Sequence, residues 1–186
     1  MQHLTETWGT EPEERSLDFP CDRVLKKPDA ELYRGITVEA PAHVLFRWLC
    51  QMRVAPYSYD WIDNCGHQSP IELTPGLDEL ELGQDVMGIF DLVDFQRDRH
   101  MTIRVKPRTR AAKLFGDIAG SYLIVPVVAD GPRHACRLLV KLTATYPEGL
   151  WGRLLRIWLP WGDLIMMRRQ LLNLKQLAER VGKPDP

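Results

Sequence analysis

The fold is decided by residues 135–181, which read ACRLLVKLTATYPEGLWGRLLRIWLPWGDLIMMRRQLLNLKQLAERV. Over Ala135–Tyr146 apolar and polar residues alternate, which is the period of a strand with one face against a core and the other in water. Leu139 is the exception, because it falls among the polar residues of the outer face. From Leu150 to Val181 the apolar residues return at helical spacing, and Pro160-Trp161-Gly162 predicts a kink or a break in this helix.

The chain upstream of this segment predicts four further strands and a helix. Stretches rich in β-branched or aromatic residues and bounded by turn residues predict strands at Val86–Val93, Arg99–Lys106 and Ala119–Val128. An earlier strand is predicted at Leu32–Val38, and Pro41–Met52 has the apolar spacing of an amphipathic helix. Four residues of the earliest strand share one phase of its alternation: Leu32, Arg34, Ile36 and Val38.

These elements leave few ways to bury every apolar face. A sheet with one apolar side needs a cover, and among the predicted elements the C-terminal helix has the apolar length to provide it. We therefore predict an α+β fold in which a curved antiparallel β-sheet grips a long C-terminal helix, with two short helices after the first strand. Because a strongly curved sheet cannot contact a straight helix along its whole length, an internal apolar cavity is expected between them.

The chain of 186 residues is predicted to form one domain, residues 30–182, after an irregular acidic N-terminal arm, residues 1–29. Residues 1–31 carry eight acids against four bases, and prolines interrupt any periodicity. We expect the domain to fold without this arm.

Composition argues against several classes of function. Lys and Arg number 24 against 25 Asp and Glu, so no overall positive field exists to bind nucleic acid. A polar N-terminus and the lack of an apolar run of about 18 residues predict a cytoplasmic protein. The four cysteines and five histidines show no metal-ligand spacing, so neither a metal nor another cofactor is expected. Cys50 lies in an apolar run and is predicted to be a small buried hydrophobe.

Two neighbouring segments carry a family resemblance. Residues 41–52, PAHVLFRWLCQM, and residues 57–64, YSYDWIDN, resemble a segment of bacterial proteins in the START-like superfamily. This superfamily is also called SRPBCC or helix-grip, and it includes polyketide cyclases/dehydrases and Bet v 1-like binders. The resemblance is sharp over residues 33–64 and is supported by element order over residues 30–181. It implies an antiparallel sheet that grips the C-terminal helix, and in this branch it implies no assigned activity.

The segment from Tyr57 to Asn64 is the first candidate ligand site. It places three aromatic residues beside four polar groups, a mixture that suits a pocket mouth with one dry and one wet end. Ligand contacts are predicted for Tyr57, Tyr59, Asp60, Trp61 and Asn64. The structural alternative is that Tyr59 and Trp61 plug the end of the core while Asp60 and Asn64 cap helix termini.

The Trp-rich start of the C-terminal helix is the second candidate. Residues 151–161 read WGRLLRIWLPW. We expect Trp158, Trp161 and Ile165 to line the core or the pocket. The alternative is that this part of the helix forms a lid or contacts a membrane interface.

Catalytic groups are less evident. Asp91 and Asp94 lie near His100 if a hairpin joins their strands, and such a pair could transfer protons, but its charged surroundings predict a solvated surface. Arg104 is also predicted to lie on the outer face. The inward positions of the strands Arg99–Lys106 and Ala135–Tyr146 carry no acid or base, which favours binding over catalysis.

We therefore predict that the protein binds a small hydrophobic or aromatic molecule in an internal cavity between the sheet and the C-terminal helix. One alternative is a cyclase or dehydratase-type enzyme acting on a polyketide-like substrate. A second alternative is a membrane-associated lipid carrier. Membrane contact is not favoured, because a net charge of -1 offers little attraction to anionic lipid.

Overall fold

The structure, a computed structural model, describes residues 4–59, 61, 66–127 and 135–181. Its strands are β1 (Thr7–Trp8), β2 (Ala30–Val38), β3 (Asp85–Val86), β4 (Phe90–Gln96), β5 (His100–Val105), β6 (Asp117–Val127) and β7 (Ala135–Thr145). They form one seven-stranded sheet in the order β1-β2-β7-β6-β5-β4-β3. Neighbouring strands are antiparallel, apart from β1, which lies parallel to β2.

The helices are α1 (Cys21–Val24), α2 (Ala42–Cys50), α3 (Arg110–Phe115) and α4 (Gly149–Val181), and 3-10 turns occupy Glu14–Ser16 and Gln51–Arg53. Helix α2 and the turn after it match the helix predicted over Pro41–Met52. The second short helix is predicted within residues 57–64, of which 60 and 62–64 lie outside the described residues. The predicted architecture, a curved sheet gripping a long C-terminal helix, is confirmed.

The main core lies between the concave face of the sheet and the two helices α2 and α4. The inward residues predicted for β5 and β7 are buried there, among them Met101, Ile103, Cys136, Leu138 and Val140. Helix α4 contributes Leu171, Leu174 and Ala178, each fully buried. The alternation of the strands therefore identified the correct concave face.

The strand predicted at Val86–Val93 is wrong in one respect, because the chain reverses direction within it. Val86 pairs with Phe90 across a tight connection, so the stretch forms β3 and the start of β4. Met87 and Gly88 both adopt positive φ, at 51° and 73°, which allows this reversal. The sequence shows a continuous β-prone run here, and Gly88 is the only signal of the turn.

The convex face of the sheet is covered by the N-terminal segment, which the sequence analysis treated as an arm outside the domain. Phe19 and Cys21, 1% and 0% exposed, form a second core cluster with Ala119, Leu123 and Leu139. The expectation that the outer face of β7 meets water is therefore wrong at its centre. Leu139, the exception to the alternation of β7, is the residue that packs against this cover.

Polar contacts also hold the N-terminal segment on the sheet. The Arg137 guanidinium donates hydrogen bonds to both carboxylate oxygens of Glu14, at 2.6 and 2.8 Å. The hydrogen bond with Arg137 lowers the pKa of Glu14 and outweighs the opposite effect of burial. The backbone amide of Cys21 donates to the Ser121 hydroxyl at 2.8 Å.

Helix α4 runs without interruption from Gly149 to Val181 with Pro160 inside it, so the predicted break is wrong. Its second half packs into the main core. In its first half, by contrast, Trp151, Trp158 and Trp161 are between 47% and 69% exposed, which contradicts the expectation that this run lines the core. Among the described residues, no helix combines the length and the apolar content needed to cross a membrane.

Candidate functional site

The expected cavity lies between the concave face of the sheet and the middle of α4, and its volume is about 140 Å³. Its walls are mostly apolar and include Phe90, Ile103, Val140, Leu142, Met166 and Met167. Gly120 of β6 leaves room at the sheet side because it has no side chain. A cavity of about 150 Å³ is large enough to bind a single aromatic ring.

Polar groups converge on one part of the cavity wall, where Tyr122 and Gln170 form a connected pair. The Tyr122 hydroxyl donates to the Gln170 side-chain oxygen at 2.8 Å. The Gln170 amide nitrogen donates to the Pro56 carbonyl at 2.6 Å, which fixes the orientation of the amide. Burial raises the pKa of Tyr122, so its hydroxyl stays protonated at neutral pH.

A buried ion pair that the sequence patterns do not predict lies at the same cavity. Asp163 of α4 lines the cavity, and the Arg34 guanidinium of β2 donates to its Oδ2 atom at 2.6 Å. The side chains of Arg34 and Asp163 are only 1% and 9% exposed. Arg34 also donates to the carbonyl oxygens of Tyr33 and Thr5, each at 2.8 Å. The N-terminal segment therefore helps to orient this pair through Thr5.

Burial raises the pKa of Asp163, and the neighbouring Arg34 opposes that shift without cancelling it. A carboxyl group in an apolar cavity can act as a hydrogen-bond partner or a proton carrier for a bound molecule. The inward residues of β5 and β7 in the main core are apolar, as predicted. The charged groups at the cavity come from two other elements, Arg34 from β2 and Asp163 from α4. The preference for binding that was drawn from these two strands therefore takes no account of the titratable groups on β2 and α4.

Sequence signals for both residues existed. Arg34 shares the phase of Leu32, Ile36 and Val38, so a charged residue alternates in step with buried ones. Asp163 is the only acid between residues 149 and 178. A lone acid on a long helix and a lone base on an apolar strand face are candidates for a buried pair.

The segment around Tyr57 does contact the cavity, but not through the residues that were predicted to do so. Pro56 and Ser58 line it, whereas Tyr57 is 1% exposed in the main core, where its ring meets the Trp48 ring edge-on at 6.2 Å. Tyr57 borders a separate pocket of about 180 Å³ beside Asn173. Tyr57 has a positive φ of 56°, and its side chain does not line the cavity.

The remaining predicted contacts lie elsewhere or outside the described residues. Trp61 is 75% exposed and Tyr59 is partly exposed, while Asp60 and Asn64 fall outside the described part of the chain. Trp158, Trp161 and Ile165 project from the outer side of α4 and do not line the cavity. The inner side of the same helix presents Asp163, Met166, Met167 and Gln170 instead, at the i, i+3, i+4 and i+7 spacing of one helix face.

The other titratable candidates lie away from the cavity. Oδ2 of Asp94 is 3.4 Å from Nε2 of His100, so the predicted proximity is correct, and Arg104 pairs with Asp117 through two hydrogen bonds. His100 borders a groove of about 820 Å³ beside the N-terminal segment. This groove is larger than the cavity, and its walls come from the N-terminal segment and the ends of β4, β5 and β6 instead of from α4.

Thiol and metal chemistry find no support among the described residues. No group of three or more His, Cys, Asp or Glu residues there could hold a metal ion. Burial raises the pKa of Cys50 to about 12 and that of Cys136 to about 11, which keeps both thiols protonated. Cys50 is completely buried, as predicted.

Solved structures with a similar fold include a hypothetical protein from Helicobacter pylori, 13% identical, with a TM-score of 0.56 over 88% of this chain and 96% of that chain. A protein from Mesorhizobium loti is 12% identical, with a TM-score of 0.50 over 81% of this chain and 97% of that chain. An aromatase/cyclase from Streptomyces is 15% identical, with a TM-score of 0.47 over 82% and 95% of the two chains. Neither a family model nor a curated protein sequence matches the chain. The first two likenesses show the helix-grip fold that the START-like resemblance implies.

Proposed function

We propose that the protein binds a compact, single-ring hydrophobic molecule that carries one hydrogen-bonding group, in the cavity between the sheet and α4. The observation that carries this proposal is a cavity of about 140 Å³ with mostly apolar walls and the Asp163 carboxyl group on one side. Pockets for drug-sized ligands usually have about 300–1,000 Å³, so the space favours a smaller guest.

The polar group of the guest has a defined partner. A carboxylate has two acceptor oxygens, and Arg34 is hydrogen-bonded to Oδ2 of Asp163. A hydroxyl or amino group on the guest can therefore donate to Asp163 without breaking the ion pair. Met166 and Met167 adapt the apolar wall to the ring, because unbranched thioether side chains fill irregular space.

Phenol and toluene test this assignment because they differ by one hydrogen-bonding group. We expect phenol to raise the melting temperature of the protein more than toluene at equal concentration, since bound ligand stabilises the folded state by mass action. Equal increases in melting temperature would show that the protein makes no favourable contact with the phenol hydroxyl. If neither compound raised the melting temperature, binding in this cavity would be contradicted.

Gly120→Ala is the matched cavity variant. An added methyl group at Gly120 would meet Leu142 Cδ1 at 3.4 Å and Ile103 Cγ1 at 4.0 Å, which are ordinary contacts, so the fold should persist. We expect weaker phenol binding with unchanged or slightly higher stability, as measured by calorimetry and urea unfolding. Gln176→Ala on the exposed surface is the control, and unchanged binding in Gly120→Ala would place phenol elsewhere.

A cyclase or dehydratase-type enzyme is the second candidate. Asp163 and Tyr122 favour it, because both are titratable, both line the cavity and burial raises the pKa of both. The volume of about 140 Å³ disfavours it, since a polyketide-like chain needs more room than the cavity has with α4 in this position.

A further inference from the structure

The first half of α4 exposes a continuous apolar surface. We name it the outer stripe and define it by six residues: Leu150, Leu154, Ile157, Trp158, Trp161 and Ile165. Their spacing of i, i+4, i+7, i+8, i+11 and i+15 keeps them on one side of the helix. Each is between 49% and 77% exposed. A contiguous apolar surface of this kind marks an interaction site rather than ordinary surface.

The helix beneath the outer stripe is firmly attached to the domain. Leu155 is 6% exposed in a cluster with Val105, Ile118 and Tyr146. The Trp151 ring nitrogen donates to the Leu114 carbonyl at 2.7 Å. The inner side of α4 is therefore occupied by the sheet, and the outer stripe can meet a partner only from outside.

Most of the charged residues that this part of the helix exposes are basic. Between residues 149 and 170 the helix carries four arginines, all exposed: Arg153, Arg156, Arg168 and Arg169. The single acid in this stretch, Asp163, is turned inward and paired with Arg34. Arg156 forms a partly exposed pair with Asp29, and Glu148 lies just before the helix. The helix surface is thus locally basic although the whole chain is nearly neutral.

These features distinguish between two occupants, a second copy of the chain and a lipid surface. Pairing two outer stripes would bring arginines towards arginines, and the exposed helix surface offers no acid between residues 149 and 170 to balance them. Trp residues favour the boundary between acyl chains and headgroups, and arginines beside them favour anionic lipid. We propose that α4 binds in the plane of an anionic membrane surface through its outer stripe.

This proposal goes beyond the cavity function and places the two activities on opposite sides of one helix. The ligand would contact the inner side at Asp163, Met166 and Met167, while lipid would contact Trp158 and Trp161. Binding to lipid therefore does not require an occupied cavity. Failure of either proposal leaves the other standing.

Vesicle flotation with the full chain tests the membrane proposal. We expect the protein to float with vesicles of three parts phosphatidylcholine to one part phosphatidylglycerol, and to float less with pure phosphatidylcholine. Raising the salt concentration should weaken binding, because screening reduces the attraction between arginines and anionic lipid. Protein that stays at the bottom of the gradient with the anionic vesicles would overturn the proposal.

A pair of matched double variants separates the outer stripe from general hydrophobicity. Ile157→Gln/Trp158→Gln removes two exposed stripe residues, and Ile71→Gln/Leu82→Gln removes two residues that are 70% and 66% exposed elsewhere. We expect the stripe variant to lose about tenfold or more in vesicle partitioning. The control should retain wild-type partitioning, and both should keep the wild-type melting temperature.

Equal partitioning of the two double variants would overturn the assignment to the outer stripe. Analytical sedimentation of the wild-type chain without lipid tests the alternative that a second copy of the chain binds to the outer stripe. A concentration-dependent dimer that Ile157→Gln/Trp158→Gln abolishes would assign the outer stripe to a second copy and contradict the membrane proposal.

Discussion

At the scale of single residues, the Arg34–Asp163 pair determines the polarity of the cavity. Both side chains are removed from water, which costs more than a surface pair would, and their hydrogen bond at 2.6 Å offsets part of that cost. Nε of Arg34 has no hydrogen-bond partner among the described residues, which adds to the cost. The pair is therefore weak evidence for stability, and its position agrees with the role at the cavity that we propose.

Asp163→Asn should therefore lower the free energy of unfolding by about 3 kcal/mol, because it leaves the Arg34 charge buried without a counter-charge. Urea unfolding measures the change. The double variant Arg34→Met/Asp163→Leu removes both charges and should be closer to the wild type in stability. Equal losses in the single and double variants would show that the pair is not coupled.

The pH dependence gives a second measure of the same pair. Because burial raises the pKa of Asp163, the folded state holds its proton more tightly than the unfolded state does. Its contribution to stability should therefore fall as pH rises from about 4, the ordinary value for Asp, through the raised pKa. This fall should be absent in Arg34→Met/Asp163→Leu, and an identical pH profile in both proteins would contradict the assignment to Asp163.

At the scale of elements, the N-terminal segment covers one face of the sheet. Strand β1 extends the sheet beside β2, and Phe19 and Cys21 bury the outer side of Leu139. The sequence does not predict that this segment packs on the sheet. The segment is rich in acidic residues and prolines, and its few apolar residues lack a regular period. Leu139 is the one indication in β7 that its outer face is covered, since an apolar residue on a polar strand face is more stable when another segment packs on it.

Phe19→Ala should lower the free energy of unfolding by about 3 kcal/mol or more, because it leaves a cavity in the buried cluster that Phe19 forms with Leu123 and Leu139. Leu17→Ala is the matched control in the same segment, since Leu17 is 40% exposed and its loss should cost less than about 0.5 kcal/mol. Thermal and urea unfolding compare the two variants. Small, equal effects would restore the interpretation of residues 1–29 as a dispensable arm.

Helix α4 shows why the fold was easier to predict than the site. Its sequence contains two apolar sides, one with Leu171 and Leu174 and one with Trp158 and Trp161, and periodicity alone does not say which side meets the sheet. The tryptophans are predicted to lie inside because the nearly neutral chain offers little attraction to anionic lipid. In the structure the sheet covers the leucine and methionine side, and the tryptophans remain outside.

At the scale of the whole molecule, the distance between the sheet and α4 limits the size of a guest. The alternation in β5 and β7 was enough to predict which faces enclose the cavity. Its volume was not predictable, because it depends on side chains from separate elements, such as the sheet wall beside Gly120 and Met167 on the helix.

A series of aromatic probes should reveal this limit. We expect phenol to bind at least about tenfold more tightly than 2-naphthol, since the second ring exceeds a space suited to one ring. Met167→Ala enlarges the cavity and should reduce or reverse this preference, as measured by calorimetry. Tighter binding of 2-naphthol to the wild type would instead favour the larger substrate of the cyclase alternative.

Because of Pro160, the two halves of α4 should differ in how easily they open locally. A proline has no amide hydrogen, so the carbonyl of Arg156 lacks its usual partner one turn further along the helix. The turns before Pro160 should consequently open locally more often than the turns after it, which Leu171 and Leu174 fix in the main core. Amide hydrogens of residues 153–159 should exchange with deuterium much faster than those of residues 168–178, and local opening of these turns would widen the entrance for a guest.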